Sequence, residues 1–154
     1  MADKTFSFER AEDSSGFLLW QVTTLWQRGI KKALDKHKLT HAQYVLLASL
    51  MWLSKQKENV TQIDLSGHSK VDPMTTSTVL RTLQAKGFIE RQEHFSDTRA
   101  KTVVLTENGI CVVKQAIKTV EQFDKDFFSL LGDKQNDFNK HLLKLISENK
   151  QNGS

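Results

Sequence analysis

One segment constrains the fold more than any other: DPMTTSTVLRTLQAKG, which begins at Asp72. Asp72 can accept hydrogen bonds from the first turn of a helix, and Pro73 suits the first helical position. Gly87 suits the left-handed residue that ends a helix. Residues 88–95 and 101–105 follow, with a strand-like composition and the turn-forming stretch SDTRA between them. The pattern predicts a short, bounded helix followed directly by a β-hairpin.

The rest of the chain is predicted to be mostly helical, because apolar residues recur at spacings of three and four. Thr40 and Gln43 form the Thr-x-x-Gln pattern of a helix start. A further short helix begins at Thr61, and we expect Ile63 and Leu65 to face the core. The predicted helices cover residues 15–38, 41–55, 61–66, 73–86, 107–130 and 134–148.

The order of these elements predicts a mainly α fold with a small β-hairpin wing. A short helix, a tight turn, a second helix and a hairpin make up a winged helix-turn-helix, and the helix-turn-helix places a helix in the major groove of DNA. The remaining helices lie at the N- and C-terminal ends. The chain has 154 residues and a net charge of +4, which suits one domain and permits nucleic-acid binding.

The composition also indicates where the protein works. No apolar run approaches the roughly 20 residues of a membrane span, and the polar N-terminus lacks the apolar stretch of a signal peptide. Cys111 is the only cysteine, so no internal disulfide can form. We therefore expect a cytoplasmic protein.

The bounded helix, residues 73–86, is the candidate recognition helix. Its inward face should carry Thr76, Val79, Leu80 and Leu83. Its outward face should carry Pro73, Met74, Thr75, Ser77, Thr78, Arg81 and Thr82. The hydroxyls can bond to phosphates or base edges, the threonine methyls can touch a thymine methyl, and the arginine can pair with guanine or phosphate. The alternative is an ordinary solvated helix face.

The hairpin tip, SDTRAK, would reach the minor groove beside the recognition helix. Arg99 suits a narrow, negatively charged minor groove, and Asp97 could hold its guanidinium in place. Arg91 and Lys101, on the strands, could contact phosphates. The alternative is a surface turn in which Asp97 and Arg99 pair weakly.

Three stretches together resemble the MarR (multiple antibiotic resistance regulator) family of transcription factors. LTHAQYVLLASL is similar to the family's LTxxQYxxLxxL pattern, and MTTSTVLRTLQAKGFIER to its recognition helix and wing entry. SDTRAKTVVLTENG is similar to its DxRxxxVxLTxxG wing, and the three stretches span about residues 39–109. The family often has two arginines after the aspartate. Because Thr98 takes the first of these places, only Arg99 inherits the wing-tip role.

The resemblance implies one MarR-type domain over residues 1–154, with the winged-helix part at about 40–106 and dimerisation helices at about 6–38 and 107–148. It also implies an obligate homodimer on palindromic DNA that usually represses transcription and is often released by a small ligand or an oxidant. The apolar stretches FDKDFFSLL and FNKHLLKLI independently favour a dimer. Alternatively, these helices fold back on their own chain.

An effector pocket is expected where the first two helices meet the long fifth helix. Its candidate residues are Trp20, Trp26, His41, Tyr44, Trp52 and Cys111. Aromatic walls with a few polar groups suit a small aromatic acid or phenol. The alternative is that these residues are simply core, as aromatic residues at helical spacing usually are. Cys111 could also be a redox sensor, but a lone cysteine with apolar neighbours is usually a small buried hydrophobe.

The sequence favours a binding protein over an enzyme. It contains no recognisable set of nucleophile, base and orienting residue, no glycine-rich phosphate loop and no metal signature, so we expect neither catalysis nor a cofactor. The main alternative is a winged-helix protein-interaction module without DNA binding. Against it, a protein interface would more often present exposed aromatic or aliphatic anchors than a basic wing tip.

Overall fold

The elements follow one another in the predicted order. The structure, a computed structural model, describes residues 4–93 and 101–150. The helices are α1 Ser15–Leu34, α2 His41–Ser54, α3 Gln62–Ser69, α4 Pro73–Ala85, α5 Glu107–Phe128 and α6 Gln135–Glu148, and the strands are β1 Ile89–Glu93 and β2 Lys101–Leu105. Short 3-10 helices cover Ala11–Asp13, Asp35–His37 and Ser129–Lys134. The predicted mainly α fold with one hairpin is confirmed.

The chain divides into two compact units, Met1–Val120 and Glu121–Ser154. The first unit contains the helix-turn-helix and the hairpin, and the second contains the end of α5 and all of α6. Among the residues that the structure describes, no helix is long and apolar enough to cross a membrane.

The helix starts predicted from capping residues are confirmed. The Thr40 hydroxyl accepts a hydrogen bond from the Gln43 backbone N–H at 3.1 Å, and the Gln43 amide oxygen accepts one from the Thr40 backbone N–H at 3.1 Å. Asp72 accepts from the Thr75 backbone N–H at 2.8 Å, and Pro73 is the first residue of α4. Each of these bonds satisfies a backbone group that would otherwise have no helical partner.

The hairpin pairs β1 with β2 antiparallel, with Arg91 opposite Val103. The sheet is joined to the rest of the fold through its second strand, because the Val103 N–H donates to the Val60 carbonyl at 2.8 Å. At the start of α5, a Cβ on Gly109 would collide with the Phe88 carbonyl oxygen. Only glycine therefore allows α5 to approach the entry of β1 this closely.

The core of the first unit is aliphatic and is shared by all of its main elements. Its fully buried side chains include Ile30, Leu34, Leu46, Leu47, Leu50, Leu65, Leu80, Leu83, Ile89, Val103 and Val113. Burial of each such side chain contributes on the order of 1.5–3 kcal/mol. Because Leu80 and Leu83 lie in this core, the opposite face of α4 is turned to the outside.

The structure corrects one prediction about α3. Leu65 is fully buried as expected, but Ile63 is 76% exposed. Residues two positions apart on a helix are separated by about 200° around its axis, so Ile63 and Leu65 cannot both face the same core. The helix also continues to Ser69 and ends where Lys70 adopts a left-handed conformation, with φ of 64°.

In the second unit, aromatic rings form a chain of contacts. Phe123 stacks on Phe127 with ring centroids 5.7 Å apart, and Phe127 meets Phe128 edge to face at 5.0 Å. Phe128 in turn lies 5.9 Å from Phe138 of α6. These contacts hold α6 against the end of α5, while α6 leaves Leu143, Leu145 and Ile146 exposed.

Candidate nucleic-acid interface

The turn between α3 and α4 is held by side-chain hydrogen bonds to one carbonyl group. The hydroxyls of Ser66 and Thr76 both donate to the Val71 carbonyl oxygen, at 2.7 and 3.2 Å. The Val71 N–H donates to the Ser69 hydroxyl at 3.1 Å. Because these bonds connect both helices to the residue between them, they set the direction in which α4 leaves the turn.

The outward face of α4 is exposed as predicted, with one exception. Met74 is 81% exposed, and Pro73, Thr75, Thr78, Arg81 and Thr82 are exposed as well. Ser77 is half-buried. On the inward face, Thr76, Leu80 and Leu83 are buried, whereas Val79 is only half-buried.

The start of α4 is occupied by a carboxylate. Asp72 accepts a hydrogen bond from the Thr75 hydroxyl at 2.6 Å as well as from the Thr75 backbone N–H. The hydrogen bond from the Thr75 hydroxyl lowers the pKa of Asp72 most, and the bond from the Thr75 backbone N–H lowers it further. The Met74 backbone N–H adds a smaller lowering. Asp72 is therefore ionised at neutral pH and lies against the positive end of the helix dipole.

The threonines further along the same face use their hydroxyl groups inside the helix. The Thr78 hydroxyl donates to the Met74 carbonyl at 3.1 Å, and the Thr82 hydroxyl donates to the Thr78 carbonyl at 3.4 Å. Such bonds to the residue four positions earlier are a known habit of threonine in helices. Each hydroxyl has a single proton, so a threonine that donates in this way has no second hydrogen to offer outward.

The two arginines near α4 have different surroundings. Arg81 is exposed and forms no ion pair with any residue in the described ranges. Arg91 of β1 is half-buried, and its Nε donates to the Gln84 amide oxygen at 2.7 Å while its Nη1 donates to that of Gln62 at 3.1 Å. Arg91 thus joins the wing to α3 and α4, a role that the sequence did not suggest.

Of the remaining wing candidates, the structure describes only Lys101. Lys101, the first residue of β2, is exposed. Asp97 and Arg99 lie outside the described residues. Their assignment to the minor groove therefore stays a prediction.

Sequence reasoning also missed a lysine that fixes the far end of α4. The Lys86 ammonium donates to the Lys38 carbonyl at 2.6 Å and to the Gln43 amide oxygen at 3.3 Å. It thereby connects the end of α4 to the segment before α2 and to the first turn of α2. These partners lie 48 and 43 residues away in sequence, so no local pattern could have indicated them.

At the start of α3, a carboxylate is held by several donors. Asp64 accepts from the Lys57 ammonium at 2.7 Å and from the Thr61 backbone N–H at 2.9 Å. Burial raises the pKa of Asp64, but the hydrogen bonds from Lys57 and Thr61 outweigh it and the net pKa is lowered. The first turn of α3, which also carries Gln62, is therefore well anchored.

The six effector candidates do not share one environment. Trp26 and His41 are half-buried and in contact edge to face, with ring centroids 5.1 Å apart, and Tyr44 is also half-buried. Trp20 is 70% exposed and Trp52 is 58% exposed. Trp20 lines an open pocket of about 340 Å³ with Phe17, Gln21, Thr24 and Leu25.

Cys111 is exposed rather than buried, contrary to the usual behaviour of a lone cysteine with apolar neighbours. The buried residues of α5 include Gly109 and Val113, and a residue two positions from each lies on the opposite side of the helix. The Gln115 amide lies 3.8 Å from the Cys111 sulfur and donates to it. Membership of a pocket stays a prediction for this residue.

Comparisons with known proteins agree with this geometry. Residues 35–123 match the family model of the ArnR1-like winged-helix domain. The chain is 43% identical over 129 residues to the helix-turn-helix transcriptional regulator YdcH of Bacillus subtilis, which covers 84% of this chain and 88% of YdcH.

Two solved structures share the fold over most of their length. CouR from Rhodococcus jostii RHA1, bound to p-coumaroyl-CoA, has a TM-score of 0.77 and 25% identity, covering 91% of this chain and 94% of CouR. A mutant MarR from E. coli complexed with operator DNA has a TM-score of 0.74 and 24% identity, covering 85% of this chain and 91% of MarR.

Proposed function

This chain belongs to the MarR family of winged helix-turn-helix regulators, a family of DNA-binding transcription regulators, and we propose that it binds a palindromic operator as a homodimer. Helix α4 of each copy would enter the major groove, and the two half-sites would lie one helical turn apart, about 34–36 Å. The observation that carries the proposal is α4 itself. Its inner face is locked into the core while Met74, Thr75, Thr78, Arg81 and Thr82 face outward.

The hairpin would extend the contact beyond the major groove. Arg99 would enter the adjacent minor groove with Asp97 orienting it, and Lys101 would contact a phosphate. Arg91 has three further N–H groups besides those bound by Gln84 and Gln62, so it can contact a phosphate while it positions the wing.

Binding, rather than catalysis, would be the protein's activity, and it would take place in the cytoplasm where the operator is accessible. A dimer that covers promoter DNA excludes other proteins from it, which makes repression the expected outcome. A small aromatic or phenolic effector would release the DNA. CouR, a structural relative, was solved with an aromatic acyl-CoA bound, which supports this effector class.

The pair Trp26 and His41 is the centre of the proposed effector site. It lies at the contact between α1 and α2 and combines an aromatic wall with a ring nitrogen that can hydrogen-bond. Tyr44, one turn further along α2, would complete the site, with Trp20, Trp52 and Cys111 as its outer candidates. Quenching of tryptophan fluorescence by phenolic acids, strongly reduced in Trp26→Phe, would support this assignment.

Exposed apolar side chains on α3 and α4 are the observation that favours the alternative function. Ile63 and Met74 are both more than three-quarters exposed, and such side chains could also anchor a protein partner. A module of this kind would bind duplex DNA weakly or not at all. The test of DNA binding therefore also decides between the two functions.

The test is a selection from a randomised duplex library with the purified protein at near-physiological salt. We expect enrichment of a palindrome, and an affinity for it that falls by on the order of 10³–10⁵ between about 50 and 200 mM salt, as phosphate contacts require. Arg99→Ala should weaken binding while the dimer persists. If no sequence is enriched and the salt dependence is shallow, the proposed function is wrong.

A further inference from the structure

The exposed face of α4 offers fewer hydrogen-bond donors than its composition suggests. Its three exposed threonines, Thr75, Thr78 and Thr82, each donate the hydroxyl proton within the chain, to Asp72, to the Met74 carbonyl and to the Thr78 carbonyl. Phosphate oxygens only accept hydrogen bonds. In these conformations, the threonine hydroxyls therefore have no proton with which to bind a phosphate.

The start of α4 is equally closed to phosphate. Helix N-termini often bind anions through free backbone N–H groups. Here the Asp72 carboxylate accepts a hydrogen bond from the Thr75 N–H at 2.8 Å, and its own negative charge lies where an anion would bind. An incoming phosphate would meet like charge at this point.

What these threonines still present outward is a methyl group and an acceptor oxygen. Met74, Thr78 and Thr82 recur every four residues and so form one stripe, with Thr75 beside it. Met74, at 81% exposed, adds a flexible apolar side chain at the end nearest the turn. We call these four residues the methyl stripe.

In the major groove, thymine is the only base that carries a methyl group. Thymine displays its 5-methyl, and its partner adenine displays an N6 amino donor that can meet an acceptor oxygen. A G·C pair also offers one amino donor, on cytosine, but it carries no methyl group, and its guanine edge offers only acceptors. A surface of methyls and hydroxyl acceptors is thus complementary to A·T pairs.

From this geometry we infer that the methyl stripe reads thymine 5-methyl groups, so that the operator half-sites carry A·T pairs opposite Met74, Thr75, Thr78 and Thr82. This inference rests on the proposed function and specifies its sequence preference. Arg81, at the edge of the stripe, is the residue left to pair with guanine or phosphate.

The experiment uses the duplex recovered from the randomised library and replaces each thymine, one at a time, with deoxyuridine. This exchange removes only the 5-methyl group. We expect a few thymines in each half-site to cost about fourfold in affinity each, the factor for one buried methyl-sized group. Thymines elsewhere in the duplex serve as controls and should show no cost.

Two substitutions of one residue then assign the contact. Thr78→Ser keeps the hydroxyl and removes the methyl, so it should abolish the deoxyuridine cost at one thymine and leave the cost at the others. Thr78→Val keeps the methyl and removes the hydroxyl, so the cost at that thymine should persist. Because the other thymines still report on the complex, a misfolded variant would be recognised by loss of all costs together.

The outcomes separate the two proposals. If the selected duplex binds specifically but tolerates deoxyuridine everywhere, the methyl stripe is wrong and the regulator stands. The methyl stripe is also wrong if Thr78→Val, rather than Thr78→Ser, abolishes the cost at one thymine, because the hydroxyl would then be the contact. If no duplex is enriched at all, the proposed function fails and the methyl stripe falls with it.

Discussion

Arg81 and Arg91 lie ten residues apart on the same part of the molecule, but their surroundings assign them different tasks. Two N–H groups of Arg91 donate hydrogen bonds to glutamines of α3 and α4. Arg81 has no ion-pair partner among the described residues and points away from the core on the face of α4. A guanidinium without an internal partner is available for a base or a phosphate.

Replacing Arg81 tests which of these it contacts. Arg81→Ala should cost on the order of 1–3 kcal/mol of binding free energy and relax sequence choice if the residue reads a base. Arg81→Lys is the matched control, because it keeps the charge and loses the bidentate fork. Affinities for the selected duplex and for single-base variants measure both effects. Recovery of full affinity and specificity by lysine would instead assign Arg81 to a phosphate.

Gly109 is the position where backbone packing allows no side chain. Gly109→Ala should lower the free energy of unfolding by about 1–3 kcal/mol, because its Cβ would press on the Phe88 carbonyl. Gly67→Ala is the control, since a Cβ there meets nothing within 4 Å and α3 should gain up to about 1 kcal/mol. Urea unfolding measures both. Equal stabilities of the two variants would contradict this account of the α5 contact.

Among the elements, the wing and the recognition helix share the apolar core and are also joined by specific side-chain hydrogen bonds. Gln62 of α3 and Gln84 of α4 both accept from Arg91, so the hairpin is held to both helices of the helix-turn-helix. At the C-terminal end of α4, the Lys86 ammonium donates hydrogen bonds that connect this end to the segment before α2 and to the first turn of α2.

The positioning role of Arg91 can be separated from a phosphate contact. Gln62→Ala and Gln84→Ala remove its partners without changing any charge, so both should weaken operator binding severalfold if Arg91 orients the wing. Arg91→Ala should weaken it further, whereas Gln92→Ala, an exposed neighbour on β1, should not. Thermal unfolding checks that the variants are folded. Unchanged affinity in both glutamine variants would leave Arg91 with a phosphate contact alone.

At the scale of the whole molecule, exposed apolar side chains are concentrated in α1 and α6. In α1 they include Leu19, Trp20 and Leu25, and in α6 they include Leu143 and Leu145, all more than half exposed. Single exposed apolar residues are ordinary, but groups of this size usually mark a surface that a partner covers. A second copy of the chain is the partner that the proposed function requires.

Sedimentation tests the dimer directly. The protein should have a mass twice that of its 17.6 kDa chain. Introducing charge with Leu143→Glu and Leu145→Glu together should shift it toward the single-chain mass and weaken operator binding by at least tenfold, because two linked half-sites become one. Asn139→Glu, on the same helix, is the control. A wild-type protein that sediments as a single chain would rule out the dimer.

The sequence by itself determined the order of elements and most of their ends. Thr40, Asp72 and Gly87 act on the backbone within a turn of themselves, so their effect can be read from neighbouring residues. The face of α4 was predictable for the same reason, since helical spacing alone places Leu80 and Leu83 opposite Arg81. The assignment of Ile63 to the core was wrong because residues two positions apart on a helix point to opposite sides, and Leu65 is the one that is buried.

Only the tertiary structure decided which polar side chains form hydrogen bonds to distant parts of the chain. Arg91 meets Gln62 across 29 residues and Lys86 meets the Lys38 carbonyl across 48, and neither pairing leaves a trace in local composition. The exposure of Cys111 likewise depends on which side of α5 faces the core. Contacts of this kind follow from how elements pack in space, because hydrogen-bond partners are chosen by distance and direction rather than by separation along the chain.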